Sequence, residues 1–308
     1  MSDSSFSYRP VVFASDEKGA LQLGVALYSL LTSSEETCGL RVVVLDVGIA
    51  SRDREKIKLL CRRFDAELIW IGGLLARLDG VPYSDSFPPA ACARILLPEL
   101  LPGEKSALYV DIDVLFSSDI SELLAMELGN FLAAAVYENE TYFNSGVMLM
   151  NLDLMRKEGI QEQMFAAMKK HRKRLVFFDQ DILNMTLAGR VLSLHPRWNW
   201  NEHYSRKLLK RYRHWGRVPF LEALAVCLSP CIRHFASRPK MVEDNYRWNR
   251  RLYRKVWLAS PWADEPVRRG KRRWQNMWRR WWYGWADRRL HCRMRGILEK
   301  DAREKARQ

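Results

Sequence analysis

The first half of the chain alternates short runs rich in Val, Ile and Leu with segments whose apolar residues recur at helical spacing. This alternation is the strongest constraint on the fold, because parallel strands need a crossover helix between them and are then buried on both faces. The strand-like runs lie at 11–15, 40–46 and 66–71, and helices are expected over 17–32 and 51–64. The pattern predicts an α/β fold with a mostly parallel central sheet flanked by helices.

The same alternation continues into the middle of the chain. A helix is expected over 89–101, the run ALYVDIDVLF at 107–116 reads as one strand, and a helix is expected over 153–172. Gly189 is a plausible stop for a further helix that contains DQDILN. Ligands of such sheets bind at the carboxyl ends of the strands, which is where Asp16 is expected.

Two aspartates, Asp111 and Asp113, interrupt the apolar run at 107–116. Residues two apart on a strand point to the same face, with Ile112 on the other. Buried ionised carboxylates are costly unless they are paired, and two of them on one face suit a divalent cation that prefers oxygen ligands. The alternative is that they cap the next helix, but Ser118 and Asp119 are placed to do that.

Six segments carry a family resemblance as an ordered set across residues 11–240. They are VVFASDE, CARILLPELLP, ALYVDIDVLF, FNSGVMLMNL, FDQDILN and IRHFASRPK. The chain resembles the retaining glycosyltransferases of glycosyltransferase family 8, which include bacterial lipopolysaccharide galactosyl- and glucosyltransferases. The resemblance implies a Rossmann-like GT-A fold. It also implies transfer of a hexose (glucose or galactose) from a UDP-sugar to a glycan acceptor such as lipopolysaccharide, with retention of configuration.

The resemblance also implies a metal site. Asp111 and Asp113 match the DxD motif that holds Mn²⁺, or alternatively Mg²⁺, against the donor diphosphate, and His234 matches the third protein ligand. Lys240 matches a lysine that contacts the donor phosphate. Taken without the resemblance, His234 would be read as a structural or surface histidine.

Further positions correspond to family residues that bind the nucleotide sugar. Asp16 matches a contact to uracil or ribose, and Arg94 matches a bridge between the donor sugar and the nucleotide region. Lys18 and Gly19 depart from the polar and aromatic pair that commonly frames the base, which leaves base specificity open. The full predicted set for the nucleotide sugar comprises Ala14, Asp16, Arg94, Asp111, Ile112, Asp113, Asn144, Ser145, Gly146, Asp179, Gln180, His234 and Lys240.

Asp179 and Gln180 are the predicted catalytic residues, matching the pair beside the reacting anomeric carbon. Asp179 would accept hydrogen bonds from donor hydroxyls. Gln180 stands where a covalent mechanism needs a nucleophile, and a carboxamide is a poor one compared with the carboxylate of retaining hydrolases. A front-face mechanism is therefore favoured, with the covalent mechanism as the alternative.

The C-terminal part is strongly basic and rich in tryptophan. The chain has a net charge of +14, and residues 267–298 hold eleven basic residues against one acidic residue. The spacing of four tryptophans predicts one helical stripe, typical of a helix in an anionic membrane interface. These are Trp274, Trp278, Trp281 and Trp285. We therefore divide the chain into a catalytic domain (1–255) and a membrane-association tail (256–308).

Two alternatives exist for this tail: a helix docked on the catalytic domain, and a nucleic-acid groove. No nucleic-acid partner is expected, because nothing upstream resembles such a module. The N-terminus lacks an apolar signal segment, and the six cysteines form no CxxC pair. Cys227 and Cys231 are spaced like one helical turn, but no second pair of ligands for zinc follows them. A cytoplasmic protein, peripheral on the inner face of the cytoplasmic membrane, is expected.

Two other functions remain open from the sequence. One is a nucleotidyltransferase on the same fold, because paired aspartates also serve nucleotide transfer. The other is a non-catalytic, basic membrane-binding protein.

Overall fold

The computed structural model covers most of the predicted catalytic region. Lys240 and the four tryptophans of the predicted membrane stripe lie outside the described residues. Those residues are 9–78, 89–201, 218–236, 241–242, 250–266, 289 and 292–306.

A seven-stranded sheet forms the centre of the molecule, in the order β3-β2-β1-β4-β7-β6-β8. The first four neighbours in this order pair in parallel, and so do β6 and β8. Strand β7 runs antiparallel to both β4 and β6. The predicted mostly parallel sheet is confirmed. The strands are β1 (Val11–Ser15), β2 (Arg41–Asp46), β3 (Glu67–Ile71), β4 (Ala107–Val110), β6 (Ala133–Tyr137), β7 (Phe143–Met150) and β8 (Val191–Ser193).

A second, three-stranded sheet stands beside the first, in the order β5-β10-β9. It contains β5 (Val114–Phe116), β9 (Trp200–Asn201) and β10 (Ile232–His234). The prediction of one strand over 107–116 is therefore wrong. The run divides at Asp111–Asp113, because β10 pairs antiparallel with β5 and draws it into the second sheet.

Helices cover both faces of the central sheet. The first two, with β5 and part of the C-terminal region, bury one apolar cluster, and α3, α4 and α6 to α8 bury the other. The helices are α1 (Ala20–Ser33), α2 (Ser51–Arg63), α3 (Pro89–Cys92), α4 (Leu97–Leu100), α5 (Ser121–Ala125), α6 (Leu152–Lys157), α7 (Ile160–His171), α8 (Asp179–Thr186), α9 (Phe220–Leu228) and α10 (Arg250–Ala259).

Two predicted helices are interrupted. The helix expected over 153–172 divides into α6 and α7 at Gly159, whose φ of 62° is a left-handed conformation that glycine adopts without strain. The helix expected over 89–101 contains a 3₁₀ turn at Ala93–Leu96. Gly189, the predicted stop after α8, also has a positive φ of 75°.

The C-terminal region packs against the back of the first two helices. Helix α10 runs across the predicted boundary at residue 255, and Trp257 and Trp262 beyond it are buried. The Trp262 indole donates to Asp53 Oδ1 at 2.7 Å. Met294, in a helix over 292–305, is fully buried in the same cluster. Within the described ranges, no helix combines the length and apolar character needed to cross a bilayer.

Candidate active site

The turn between the two sheets carries both aspartates of the DxD motif. The Asp111 N–H donates to Gly146 O of β7 at 2.7 Å, and Asp113 O accepts from Phe235 N at 2.8 Å, just beyond β10. A crossing between sheets, rather than the pleat of one strand, therefore sets the positions of the two carboxylates. Asp119, predicted to cap the next helix, accepts from the Ser121 N–H at 2.7 Å.

His234 joins the two aspartates from the end of β10. Its Nε2 lies 3.2 Å from Asp113 Oδ1 and 3.7 Å from Asp111 Oδ2. Each of the three side chains offers one ligand atom, and these atoms lie within 4.8 Å of one another. Because β10 pairs Val114 with His234, the strand register itself brings the imidazole to the DxD turn.

Gly146 makes room for this imidazole. A Cβ at position 146 would lie 2.2 Å from His234 Cε1 and 2.9 Å from Asp111 Oδ2, which is closer than atoms can approach. Gly146 was predicted to bind the nucleotide sugar. In the structure the absence of a side chain at this position leaves the space that the His234 imidazole occupies.

The three side chains fit a divalent cation. Asp113 and His234 are buried, and the two carboxylates face one imidazole nitrogen. Buried carboxylates grouped in this way are costly unless a positive charge compensates them. Carboxylate oxygen and imidazole nitrogen are donors that Mn²⁺ accepts. In the described part of the chain no other group of three such residues is close enough to hold a metal, and Cys227 and Cys231 belong to none.

Arg94 is buried below the turn and connects several parts of the site. Its Nη2 donates to Asp111 Oδ1 at 2.7 Å, its Nη1 donates to Ser145 O, and its Nε lies 3.0 Å from Asp179 Oδ2. The guanidinium also stacks 4.1 Å from the centre of the Tyr109 ring. Arg94 is 2% exposed, so its main role is to hold the carboxylates of Asp111 and Asp179 in place inside the protein.

Asp179 begins α8 and is 3% exposed. Burial raises the pKa of its carboxyl to about 6, Arg94 opposes this rise and Asp111 adds to it. Within the described residues Asp179 Oδ2 has no hydrogen-bond partner of good geometry. A buried acceptor of this kind is suited to a hydroxyl group of a ligand.

Gln180 follows on the same helix and contacts β7. Its Oε1 accepts from the Ser145 N–H at 3.0 Å and from Ser145 Oγ at 3.3 Å. Asn184 fastens this helix to the strand, because it bonds to the backbone of both Phe143 and Gln180. The carboxamide of Gln180 is therefore held at the same strand segment that contacts His234.

Asp181 stabilises the entrance to α8. Its carboxylate accepts from the N–H groups of Val176 and Phe177 at 2.6 and 2.7 Å and from the Tyr142 hydroxyl at 2.6 Å. Within FFDQDILN, then, the second aspartate supports the loop, while Asp179 and Gln180 face the site.

The predicted residues Ala14 and Asp16 lie at the carboxyl end of β1, and Ile112 lies beyond the carboxyl end of β4. Ala14 is buried in β1, and Asp16 follows it and accepts from the Gly19 N–H at 2.8 Å. A Cβ at Gly19 would lie 2.5 Å from Cδ1 of Ile112, so any larger residue there requires the Ile112 side chain to move. Lys240, the predicted phosphate ligand, is outside the described residues.

Sequence reasoning missed three partners of the site: Tyr109, Glu138 and Asn199. Tyr109 lies under Arg94, and Asn199 Oδ1 lies 2.9 Å from His234 Nδ1. Asn199 is fully buried and stands between Trp198 and Trp200 in the sequence, so an amide flanked by two tryptophans was the available signal.

The sequence profile of Glycosyl transferase family 8 matches residues 10–216, which is more than half of the 308 residues. The chain belongs to glycosyltransferase family 8. This confirms the family resemblance and makes the protein a glycosyltransferase, which decides against the nucleotidyltransferase and the non-catalytic alternatives.

Curated proteins are similar to this chain over more than half of its length. General stress protein A of Bacillus subtilis (strain 168) is 28% identical over 253 residues, covering 76% of this chain and 87% of that protein. Lipopolysaccharide 1,3-galactosyltransferase of Salmonella typhimurium (strain LT2) is 22% identical over 211 residues, covering 61% of this chain and 62% of that protein.

A solved structure shows the same fold. The galactosyltransferase LgtC, in complex with donor and acceptor sugar analogues, aligns with a TM-score of 0.71 and 22% identity. The alignment covers 82% of this chain and 96% of that chain. The expected GT-A fold is confirmed.

Proposed function

We propose that this glycosyltransferase moves a hexose, glucose or galactose, from a UDP-sugar to a glycan acceptor such as lipopolysaccharide, with retention of configuration. The observation that carries the proposal is the meeting of Asp111, Asp113 and His234 beside the buried Asp179 and the half-buried Gln180. The curated relatives include a lipopolysaccharide 1,3-galactosyltransferase, which supports the choice of donor and acceptor classes.

A divalent cation, Mn²⁺ or alternatively Mg²⁺, would be held by Asp111, Asp113 and His234. When bound, such a cation supplies positive charge that stabilises a departing diphosphate. Asp111 is kept in place for this role by Arg94, whose Nη2 donates to Asp111 Oδ1.

Asp179 and Gln180 would act on the sugar. The Oδ2 of Asp179, which is ion-paired with Arg94 Nε at 3.0 Å, would also accept a hydrogen bond from a donor hydroxyl. Gln180 presents a carboxamide oxygen, already oriented by Ser145, toward the positive charge that grows on the anomeric carbon. Asn144 and Gly146, on the same strand segment, would line the sugar side of the site.

The proposed reaction is a front-face displacement. The bond between the anomeric carbon and the phosphate oxygen breaks, and its electron pair leaves with UDP. The acceptor hydroxyl oxygen forms the new bond on the same face and passes its proton to the departing phosphate. No side chain becomes covalently attached, in keeping with the poor nucleophilicity of the Gln180 carboxamide.

Release of UDP from a panel of UDP-sugars tests the proposal. Slow hydrolysis of one UDP-hexose is expected with Mn²⁺ and is expected to stop with EDTA or in Asp113→Ala. Asp153→Ala is the matched control, because it removes a partly exposed carboxylate that pairs with Lys157 on α6. Turnover that persists equally in EDTA and in Asp113→Ala would overturn the proposed metal site.

We also propose that the protein is cytoplasmic and binds the inner face of the cytoplasmic membrane through its basic C-terminal part. The support is the excess of eleven basic residues over one acidic residue in 267–298. The proposed surface is the whole stretch 267–298, because Arg293 and Arg295 are exposed on either side of the buried Met294.

Vesicle sedimentation tests this surface. Replacing four tail arginines by Gln is expected to reduce binding to phosphatidylglycerol vesicles, with UDP-sugar hydrolysis in solution unchanged. Four exposed arginines elsewhere, replaced in the same way, are the control for net charge. Equal binding losses in both variants would contradict a localised membrane surface. The tail set is Arg272, Arg273, Arg279 and Arg280, and the control set is Arg62, Arg63, Arg172 and Arg174.

A further inference from the structure

A chain of buried hydrogen bonds leads from the backbone of β7 to the imidazole of His234. Gly146 N donates to Asn144 Oδ1 at 2.9 Å, and Asn199 Nδ2 donates to the same oxygen at 2.8 Å. Asn199 Oδ1 lies 2.9 Å from His234 Nδ1. The three side chains Asn144, Asn199 and His234 are 5%, 0% and 3% exposed. Water therefore does not substitute for any of these partners without entering the core.

One backbone N–H group fixes which atom donates and which accepts in each of these hydrogen bonds. A backbone N–H is always a donor, so the Asn144 atom that meets Gly146 must be the carbonyl oxygen. Asn199 also meets that oxygen and must turn its NH₂ group toward it. The other end of Asn144 agrees with this orientation, because its Nδ2 donates to Glu138 Oε1 at 2.8 Å.

With its NH₂ group committed to Asn144, Asn199 presents only its oxygen to His234. An amide oxygen accepts and never donates, so Nδ1 of His234 carries the proton. The nitrogen left for a cation is Nε2, and this is the atom that faces Asp113 at 3.2 Å and Asp111 at 3.7 Å.

We propose that Asn199 is a positioning residue that holds His234 with its proton on Nδ1, so that Nε2 is available as a metal ligand. This inference rests on the proposed metal site and adds a residue to its support. The partner of the second ring nitrogen of a metal-binding histidine commonly controls metal affinity by about 10- to 100-fold.

Two substitutions of Asn199 separate this role from simple bracing of the core. Asn199→Asp keeps an oxygen for the Nδ1 proton but loses the donor to Asn144. Asn199→Ala loses both bonds. If Asn199 acts on the imidazole, Asn199→Asp binds Mn²⁺ within a few-fold of the wild type, whereas Asn199→Ala binds about 10- to 100-fold more weakly. If Asn199 only braces Asn144, the two variants lose affinity equally.

Mn²⁺ binding is measured on the full-length protein from the spin-resonance signal of the free ion, with and without UDP. Ser29→Ala is the stability control, because it removes a buried hydrogen bond to the Phe116 N–H of β5 without touching the imidazole. Its Mn²⁺ affinity is expected to equal that of the wild type. An equal loss in Ser29→Ala and Asn199→Ala would overturn the inference.

The nitrogen resonances of the histidine rings give a readout that needs no metal. In the metal-free wild type and in Asn199→Asp, the Nδ1–H of His234 is expected to be hydrogen-bonded and slow to exchange with water, and in Asn199→Ala it is expected to exchange faster. If the His234 ring resonances and the Mn²⁺ affinity of Asn199→Ala both equal those of the wild type, the inference is overturned. A wild type that binds no Mn²⁺ would instead overturn the proposed metal site, and the ring resonances would still report whether Asn199 sets the proton.

Discussion

Gly24, in the middle of α1, lies directly against the indole of Trp262. A Cβ at position 24 would come within 2.4 Å of Trp262 Cε3. The indole is fully buried and its N–H donates to Asp53 of α2, so this contact holds the region after α10 against the first two helices.

Gly24→Ala is expected to destabilise the protein. An Ala inside a helix ordinarily gains about 0.5–1 kcal/mol over Gly, but here its methyl group must displace the indole. Overpacking of this kind costs about 1–3 kcal/mol, measured as the free energy of unfolding in urea. In a Trp262→Ala background the same substitution should become neutral or stabilising. A destabilisation that is equally large in both backgrounds would show that Trp262 is not the residue displaced.

Gly146→Ala is expected to weaken Mn²⁺ binding at least tenfold, as about 1.4 kcal/mol of binding free energy or more. The new Cβ would lie 2.2 Å from His234 Cε1, so the imidazole must leave its place beside the two aspartates. Calorimetric titration with Mn²⁺ measures the loss. Gly103→Ala is the control, because a Cβ there meets no atom within 4 Å. Wild-type affinity in Gly146→Ala would exclude His234 from the proposed ligand set.

Asp179 makes stability depend on pH in the metal-free protein. Burial raises the pKa of its carboxyl from 3.8 to about 6, so the folded state retains a proton that the unfolded state releases. The stability from this group is complete below about pH 4 and is lost as pH rises through about 6, an effect of order 1–3 kcal/mol. The measurement is urea unfolding in EDTA at several pH values. The free energy of unfolding of Asp179→Asn, whose side chain does not titrate, is subtracted from that of the wild type. A difference that instead grows with pH would mean that Arg94 outweighs burial.

The cysteines should differ sharply in their reaction with iodoacetamide at pH 8. Burial raises the pKa of both Cys61 and Cys92 to about 12, whereas Cys38 and Cys292 are exposed. Because only the thiolate reacts, a rise of three pKa units lowers the reactive fraction by roughly a thousandfold. Mass spectrometry of the folded protein should find the two exposed cysteines modified first. Early modification of Cys92, which lies beside Arg94 in the chain, would mean that this part of the site opens in solution.

Local patterns were sufficient to predict the first strands and helices. The runs at 11–15, 40–46 and 66–71 lie within one residue of β1, β2 and β3. In β1 and β2 the continuous apolar run reflects burial on both faces. The edge strand β3 is only partly buried, and its run is nevertheless apolar enough to be recognised. The break at Asp111–Asp113 could not be predicted in this way. It depends on pairing with β10, a strand far along the chain, and ALYVDIDVLF carries no local mark of it.

In the candidate site too, residues that belong to a sequence motif were predicted, and residues that matter through a long-range contact were not. The family resemblance pointed to Asp111, Asp113 and His234, and the structure brings them together. It also separated Asp179 and Gln180 from the neighbouring Asp181. Asn199 was missed because its importance lies in a contact with His234 and not in a motif of its own. Trp262 was grouped with the tail by composition, although it is buried against α1 and α2.

The two aspartates of the DxD turn are hydrogen-bonded to different sheets. The Asp111 N–H is bonded to β7 of the large sheet, while the carbonyl of Asp113 is bonded next to β10 of the small one. An ion that binds both carboxylates therefore links the two sheets. Because it binds only when the sheets are correctly aligned, part of its binding free energy stabilises that alignment. Amide hydrogen exchange in β9 and β10 should consequently slow when the ion is added.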